Sequence, residues 1–203
     1  VEKNLGKRPI YAISYSHTHA DHYGGAKVFA TEQQVVDGSV RVFAPEGFME
    51  YVASENIYVG AAMGRRAIFQ FSGEEPGMYA GVDSGLGKSI YGITTTLLAP
   101  SDVIKENQSV VVDGLEVQFQ LTPGTEAPAE MNTYIPKYKT LFGAENVNGT
   151  LHNVYTIRGA EIRDALAWSK YIDETITLWP DMEFSCSSHN WPRYGNETCI
   201  TYL

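Results

Sequence analysis

The segment of residues 17–22 carries four side chains of the kinds that bind metal ions. It reads His-Thr-His-Ala-Asp-His, which places His17, His19, Asp21 and His22 close together in a chain that has only five histidines. Imidazole and carboxylate groups suit zinc, and also iron or manganese. We interpret the segment as a metal-binding loop. The alternative is a polar, solvated loop with no ligand function.

An apolar run directly before this loop predicts how the four side chains are positioned. Residues 10–15 read as a buried β-strand that ends where the polar residues begin. In a loop leaving such a strand, alternate residues can turn toward one point, so His17 and His19 can share one ion. Asp21 and His22 can then reach a second ion beside it. The sequence therefore predicts a two-metal site at the end of a strand.

The strands expected elsewhere are short and lie mostly in the second half of the chain. Apolar or β-branched runs predict strands over residues 40–44, 94–98, 109–112, 115–121 and 140–142. Asp113 and Gly114 fit a tight hairpin turn between two of these strands.

Apolar residues at helical spacing predict helices in two further segments. One covers residues 46–71, with breaks expected near Gly60 and Gly64, and the other covers residues 159–172. Residues 74–88 are rich in glycine and proline and read as a long loop. Strands and helices in this order predict a layered α/β protein.

Composition excludes several classes of function. The chain has 203 residues, enough for one domain with a sizeable core, and a net charge of −9. An acidic surface repels nucleic acids and anionic membranes, so neither is an expected partner. No apolar run is long enough to span a membrane, and the polar residues 1–8 do not read as a signal peptide. Cys186 and Cys199 form no CxxC pair, and we expect them to be free rather than disulfide-bonded.

The 17–22 loop, followed by Gly24 and Gly25, resembles the HxHxDH signature of the metallo-β-lactamase superfamily. The resemblance implies an αββα sandwich. The chain begins at the strand before the loop, so we expect the sandwich to be incomplete, with the N-terminal strands missing. Residues 1–203 are then expected to be a catalytic domain cut from a longer protein, with an exposed sheet edge and an uncovered apolar face.

Two glutamates narrow the resemblance to one branch of that superfamily. Residues 122–130 (TPGTEAPAE) carry Glu126 where most members have a histidine, and residues 141–146 (LFGAEN) carry Glu145 where most have a bridging aspartate. Both replacements look like the alkyl sulfatase branch, which includes the SDS-degrading sulfatases. Other segments that resemble this branch are residues 63–66 (MGRR), 83–88 (DSGLGK), 151–160 (LHNVYTIRGA) and 187–192 (SSHNWP).

The resemblance implies two zinc ions and a set of seven ligands. One ion would take His17, His19 and Glu126, the other would take Asp21, His22 and His189, and Glu145 would bridge them. The three carboxylates would offset part of the charge of two divalent cations.

Each ligand outside the 17–22 loop has an alternative interpretation. Glu130 could replace Glu126 as the ligand, and the other glutamate would then be an ordinary carboxylate. Glu145 could cap a helix or turn, and His189 could be a structural, hydrogen-bonded histidine. His152 is expected to shape the pocket or the core rather than bind metal.

The activity implied by the resemblance is hydrolysis of alkyl sulfate esters to an alcohol and inorganic sulfate. Arg158 is the expected sulfate contact, with Asn153 and Tyr91 as further substrate-binding candidates. A surface ion pair is the alternative role for Arg158. Asp21 is also expected to orient the attacking water. The small alkyl sulfate is the expected partner, and the full-length form is expected to be a homodimer.

Two other functions compete with this one. The chain could be another hydrolase of the same superfamily, such as a lactonase or a thioesterase, although Glu126 and Glu145 argue against it. It could also be an inactive fragment that keeps the ligand residues without an ordered site.

Overall fold

The computed structural model describes residues 2–71, 78, 94–149, 151–156 and 160–203. Within them the chain forms seven α-helices: α1 (Glu2–Leu5), α2 (Ala20–Tyr23), α3 (Glu32–Val36), α4 (Phe48–Ala53), α5 (Gly60–Phe71), α6 (Ala165–Leu178) and α7 (Asn196–Tyr202). The same residues form nine strands: β1 (Ala12–Ser14), β2 (Arg41–Pro45), β3 (Asp102–Ile104), β4 (Gln108–Val112), β5 (Leu115–Leu121), β6 (Met131–Ile135), β7 (Thr140–Phe142), β8 (Phe184–Cys186) and β9 (Arg193–Tyr194). Shorter turns of helix are the 3₁₀ segments Ala26–Val28 and Pro136–Tyr138 and the π-helical segment Ser54–Tyr58.

The strands that the structure describes form two sheets. The first has the order β1-β2-β3 and is parallel throughout. The second has the order β4-β5-β6-β7-β8-β9 and is antiparallel except where β7 and β8 run parallel. The predicted hairpin turn joins β4 to β5, with Asp113 and Gly114 at φ of +49° and +75°, both in the left-handed region that this turn type requires.

Three apolar clusters divide the described part of the molecule into four layers. The cluster between the two sheets is formed by Phe43, Ile104, Phe119 and Met131. Helices cover the outer face of the first sheet through Tyr15, Tyr23, Val42, Ala44 and Phe48. Helices α6 and α7 cover the outer face of the second sheet through Tyr134, Leu141, Ile172, Trp179 and Cys199. Helix, sheet, sheet and helix in this order confirm the αββα sandwich.

Residues 94–98 are not a strand, and that prediction was wrong. The backbone N–H and the hydroxyl of Thr96 both donate to the carbonyl of Gly24 at 2.8 Å. The Tyr15 hydroxyl donates to the Leu98 carbonyl at 3.1 Å. The hydrogen bonds that a neighbouring strand would make are thus made by a loop and a side chain.

The helix predicted over residues 159–172 is displaced toward the C-terminus. Helix α6 spans Ala165–Leu178, because the Asp164 carboxylate accepts hydrogen bonds from the N–H groups of Leu166 and Ala167 and so fixes the first turn. The break expected near Gly60 is present, whereas Gly64 lies inside α5. The predicted loop over residues 74–88 lies outside the described residues except for Met78.

Part of the apolar surface between the sheets is open. A groove of about 820 Å³ is lined by apolar side chains such as Val117, Phe119 and Phe142, and at its mouth Tyr11 is 46% exposed. Cys186 and Cys199 are free thiols, as expected. None of the helices in the described ranges has both the length and the apolar character that a membrane crossing requires.

Candidate metal centre

The backbone conformation after the end of β1 determines where the side chains of the 17–22 loop point. Tyr15 still pairs with Phe43, and after a bend at Thr18 the backbone of His19 is extended, with φ and ψ of −78° and 141°. Helix α2 begins immediately afterwards, so Asp21 and His22 lie on its first turn. The extended part and the helical turn therefore direct their side chains to neighbouring points, as the sequence predicts.

The other predicted ligands come from the second sheet. Glu126 lies in the loop between β5 and β6, Glu145 follows β7, and His189 follows β8. Ala144 and His189 have φ of +51° and +62°. Non-glycine residues rarely adopt this conformation, and it is concentrated at functional sites.

The two sheets are joined beside the 17–22 loop. The Met131 N–H donates to the Ser16 carbonyl at 2.8 Å, and His17 forms an isolated β-bridge with Glu130. These contacts bring the end of β1 against the start of β6. Ligands from both sheets consequently face one another.

One group of four side chains surrounds the position expected for the first ion. His17, His19, Glu126 and Glu145 each direct one ligand atom to a common point, and these atoms lie within 4.8 Å of one another. Glu126 Oε2 is 3.4 Å from His17 Nε2 and 3.0 Å from His19 Nδ1.

A second group of three side chains lies beside the first. Ligand atoms of Asp21, His22 and His189 are again within 4.8 Å of one another. Glu145 Oε2 lies 3.3 Å from His17 Nε2, 3.1 Å from His22 Nε2 and 3.6 Å from His189 Nε2. Its carboxylate thus lies between the two groups, where a bridging ligand would have to be.

The ring nitrogen opposite the ligand atom faces a polar partner in three of the histidines. Ser16 Oγ is 3.0 Å from His17 Nδ1, Glu55 Oε2 is 3.6 Å from His19 Nε2, and Ser188 Oγ is 3.3 Å from His22 Nδ1. Outer partners of this kind fix the orientation of a metal-binding imidazole.

The chemistry of the donor set fits divalent cations. His17 Nε2 and Glu126 Oε2 are buried, and their nearest polar neighbours are other side chains of the cluster, at 3.0 to 3.4 Å. Burying such atoms without a partner is costly, and it occurs where an ion supplies the missing contact. This chain is therefore suited to bind metal at this point.

Electrostatics within the cluster are dominated by burial and by the carboxylates. Burial lowers the pKa of His17 to about 4. Burial also lowers the pKa of His22, but hydrogen bonds to Asp21 and Glu145 outweigh it and raise that pKa to about 9. Burial raises the pKa of Asp21 and of Glu145, yet hydrogen bonds from the histidines bring both well below their usual values. Both carboxylates are thus anionic, and a cation that binds must displace the proton of His22.

Glu130 belongs to neither group, and its Oε1 lies 3.9 Å from His17 Nδ1. Its Oε2 accepts hydrogen bonds from the side chain of Thr125 and the backbone of Ala127, each at 3.0 Å, and its Oε1 accepts one from the Glu145 N–H at 3.2 Å. Burial raises its pKa well above the usual value. Both of its oxygens are already used, whereas Glu126 directs one oxygen into the cluster.

The remaining candidates from the sequence lie outside the two groups. Arg158 and Tyr91 fall outside the described residues. Asn153 is exposed, and its side-chain oxygen accepts a hydrogen bond from Thr156 at 2.7 Å. His152 packs edge-on against Trp168 with ring centroids 6.1 Å apart, and burial lowers its pKa.

Two charged residues beside the cluster were missed by the sequence analysis. Arg163 is buried, and its Nη2 lies 2.5 Å from Glu126 Oε1. Glu55 is buried at the start of the π-helical segment and faces His19. No local pattern marks either residue, since each contacts its partner through the tertiary fold alone.

Comparisons with known proteins agree on the family and the fold. Residues 1–180 match the Metallo-beta-lactamase superfamily. The chain is 47% identical over 201 residues to the (R)-specific secondary-alkylsulfatase of Pseudomonas sp. and 44% identical over 198 residues to a linear primary-alkylsulfatase of Pseudomonas sp.. These alignments cover 97% and 96% of this chain but only 30% and 29% of the relatives.

A solved structure gives the same result. The stereoselective inverting sec-alkylsulfatase Pisa1 from Pseudomonas sp. superposes with a TM-score of 0.91 at 45% identity, over 99% of this chain and 32% of that one. The resemblance to alkyl sulfatases is confirmed, and the chain spans about a third of the length of these relatives.

Proposed function

We propose that this chain, which belongs to the metallo-beta-lactamase superfamily, is the catalytic region of an enzyme that hydrolyses alkyl sulfate esters to an alcohol and inorganic sulfate. The observation that carries the proposal is the convergence of His17, Glu126 and Glu145 with the other four candidate ligands on two adjoining points. Similarity to alkylsulfatases over nearly all of the chain supports this substrate class. Residues 1–203 would act as one catalytic unit, and the full-length protein would be a homodimer.

Two zinc ions are the proposed cofactors. One would be held by His17, His19 and Glu126 and the other by Asp21, His22 and His189, with Glu145 between them. When bound, the ions would supply the Lewis acidity that makes water a nucleophile near neutral pH.

The remaining steps are assigned to side chains of this chain. Asp21 is 41% exposed, and hydrogen bonds keep its carboxylate anionic, so it can accept a hydrogen bond from the attacking water and orient it. Arg158 would bind the sulfate group through its planar, permanently charged guanidinium. Asn153 and Tyr91 are the further proposed contacts to the substrate.

Release of inorganic sulfate from dodecyl sulfate is the direct test. We expect turnover that is lost on removal of metal with a chelator. Loss of an outer partner of a ligand typically costs 10–100-fold, so His19→Ala, which removes a ligand, should lower the rate at least about 100-fold. Gln33→Ala, on the exposed face of α3, is the matched control and should keep the wild-type rate.

Full turnover by the double variant His17→Ala/His19→Ala would contradict the proposal. A panel that includes lactones and thioesters tests the alternative activities, and cleavage of those substrates without sulfate release would favour one of them. Metal analysis of the purified protein tests the inactive alternative, for which no bound metal is expected.

A further inference from the structure

Glu126 is a carboxylate whose two oxygens have different partners. Oε1 lies 2.5 Å from Arg163 Nη2, and Oε2 faces the ring nitrogens of His17 and His19 at 3.4 and 3.0 Å. The side chains of Arg163 and Glu126 are only 8% and 4% exposed. One oxygen is therefore committed to the guanidinium and the other is left for the candidate metal position.

The guanidinium is itself held in place. Its Nη1 donates to the Asn153 carbonyl at 3.2 Å, and the Arg163 backbone N–H donates to the Val154 carbonyl at 2.8 Å. The next residue, Asp164, donates its N–H to the Gly124 carbonyl at 2.9 Å. Arg163 thus ties the loop that carries Glu126 to the segment around Asn153.

A buried carboxylate needs such a partner. Taking an anion out of water is unfavourable unless an opposite charge and hydrogen bonds compensate it. Arg163 supplies both for Glu126 from the side remote from the histidines. A guanidinium is also permanently charged, so the cationic partner of Glu126 does not change with pH.

We propose that Arg163 is a positioning residue that fixes Glu126 so that a single oxygen binds the first metal ion. The inference rests on the proposed metal site. It assigns to Arg163 a role in metal affinity rather than in contact with substrate.

Zinc affinity of the 203-residue chain, measured by competition with a chromophoric chelator, tests this role. We expect Arg163→Met to weaken binding about 10–100-fold, the usual effect of losing an outer partner of a ligand. Arg163→Lys keeps a positive charge but cannot reproduce the two directed donors, so its loss should be smaller, about 3–10-fold. Arg41→Met is the matched control: it breaks the Arg41–Asp102 pair between β2 and β3 and should leave zinc affinity unchanged.

A double-mutant cycle separates positioning from a general effect on the fold. Glu126→Gln weakens binding by itself, and Arg163→Met should add less than about twofold in that background, because the two residues act through one contact. Arg163→Met/Glu126→Gln also removes the Glu126 charge that Arg163→Met alone would leave buried without its partner, so it remains measurable if Arg163→Met alone does not fold.

Three outcomes are distinguishable. If the wild-type chain binds no zinc, the proposed metal site itself is wrong. If the wild type binds zinc and Arg163→Met binds it equally well, only the role of Arg163 is overturned. An equal loss on removing Arg163 in the presence and the absence of Glu126 also overturns that role, because the effect then does not pass through Glu126.

Discussion

Glu145 is the side chain that contacts both groups of candidate ligands. Its Oε2 contacts His17 in one group and both His22 and His189 in the other. Burial would favour the neutral carboxyl, yet hydrogen bonds from the histidines hold its pKa below the usual value. An anionic oxygen at this position can reduce the repulsion between two cations.

Replacement of Glu145 by glutamine tests this position. The amide keeps the shape of the side chain but removes the charge, so we expect the metal content to fall from about two ions per chain toward one. The measurement is elemental analysis after equilibrium dialysis against zinc. Glu106→Gln changes an exposed carboxylate and is the control. Retention of two ions by Glu145→Gln would contradict a bridging role.

The candidate ligands of the 17–22 loop stand out in the sequence because four side chains of metal-binding type lie within six residues after a strand. Their roles as ligands stay a prediction. Glu126 and Glu130 lie in the same loop, and local composition does not separate them. The difference arises from the fold, since Glu130 is enclosed by donors from Thr125, Ala127 and Glu145. Arg163 was not predictable, because its contact with Glu126 exists only after α6 packs beside the loop.

Helix α6 is the element that places Arg163. Asp164, the next residue, caps the helix by accepting hydrogen bonds from Leu166 N at 2.9 Å and Ala167 N at 3.0 Å. Its own N–H contacts the Gly124 carbonyl. The start of the helix is therefore fixed relative to the loop that carries Glu126.

Removal of this cap is expected to destabilise the fold. Asp164→Ala leaves two N–H groups without their acceptor, and the loss of an N-cap typically costs about 1 kcal/mol. The free energy of unfolding by urea measures the effect. Asp173→Ala, at an exposed position inside the same helix, is the control and should change stability by less than about 0.5 kcal/mol. Equal stability of Asp164→Ala and the wild type would show that the cap contributes nothing.

Two strands of the second sheet were predicted with the correct bounds. Strand β5 and strand β7 have the predicted bounds, and the Asp113-Gly114 turn lies between β4 and β5. Residues 94–98 have the composition of a strand but no neighbouring strand to pair with, so tertiary contacts to Gly24 and Tyr15 decide their conformation. Strands β3, β6, β8 and β9 were not predicted. Length alone does not explain this, because β7 also has three residues and was predicted, whereas the missed β6 has five.

At the scale of the whole molecule, the candidate ligands lie on both sheets. The 17–22 loop follows β1 of the first sheet, whereas Glu126, Glu145 and His189 follow strands of the second. A bound cation would therefore add a link between two layers that already meet through the apolar contacts of Phe43, Ile104, Phe119 and Met131 and through the Met131–Ser16 hydrogen bond.

Metal is accordingly expected to stabilise the folded chain as a whole. Free zinc at 100 times its dissociation constant contributes about 2.7 kcal/mol for one site, which raises the melting temperature of a chain of this size by about 5–10 °C. Differential scanning calorimetry measures the shift between the metal-free protein, prepared with a chelator, and the zinc-loaded protein. Calcium, which prefers oxygen ligands, is the control and should produce a much smaller shift. Identical melting temperatures at confirmed zinc loading would contradict a link between the layers.

Candidate ligands that lie close together in space are far apart in the sequence, and this affects when a metal site can form. His22 and His189 approach to 3.2 Å although 167 residues separate them along the chain. At synthesis rates of about 5–20 residues per second, the first histidines leave the ribosome roughly 10–30 s before the last. During that interval the early imidazoles are accessible to any cation in their surroundings. If His189 is a ligand, as proposed, the full set of candidate ligands, and with it any selectivity among metals, forms only after translation has passed β8.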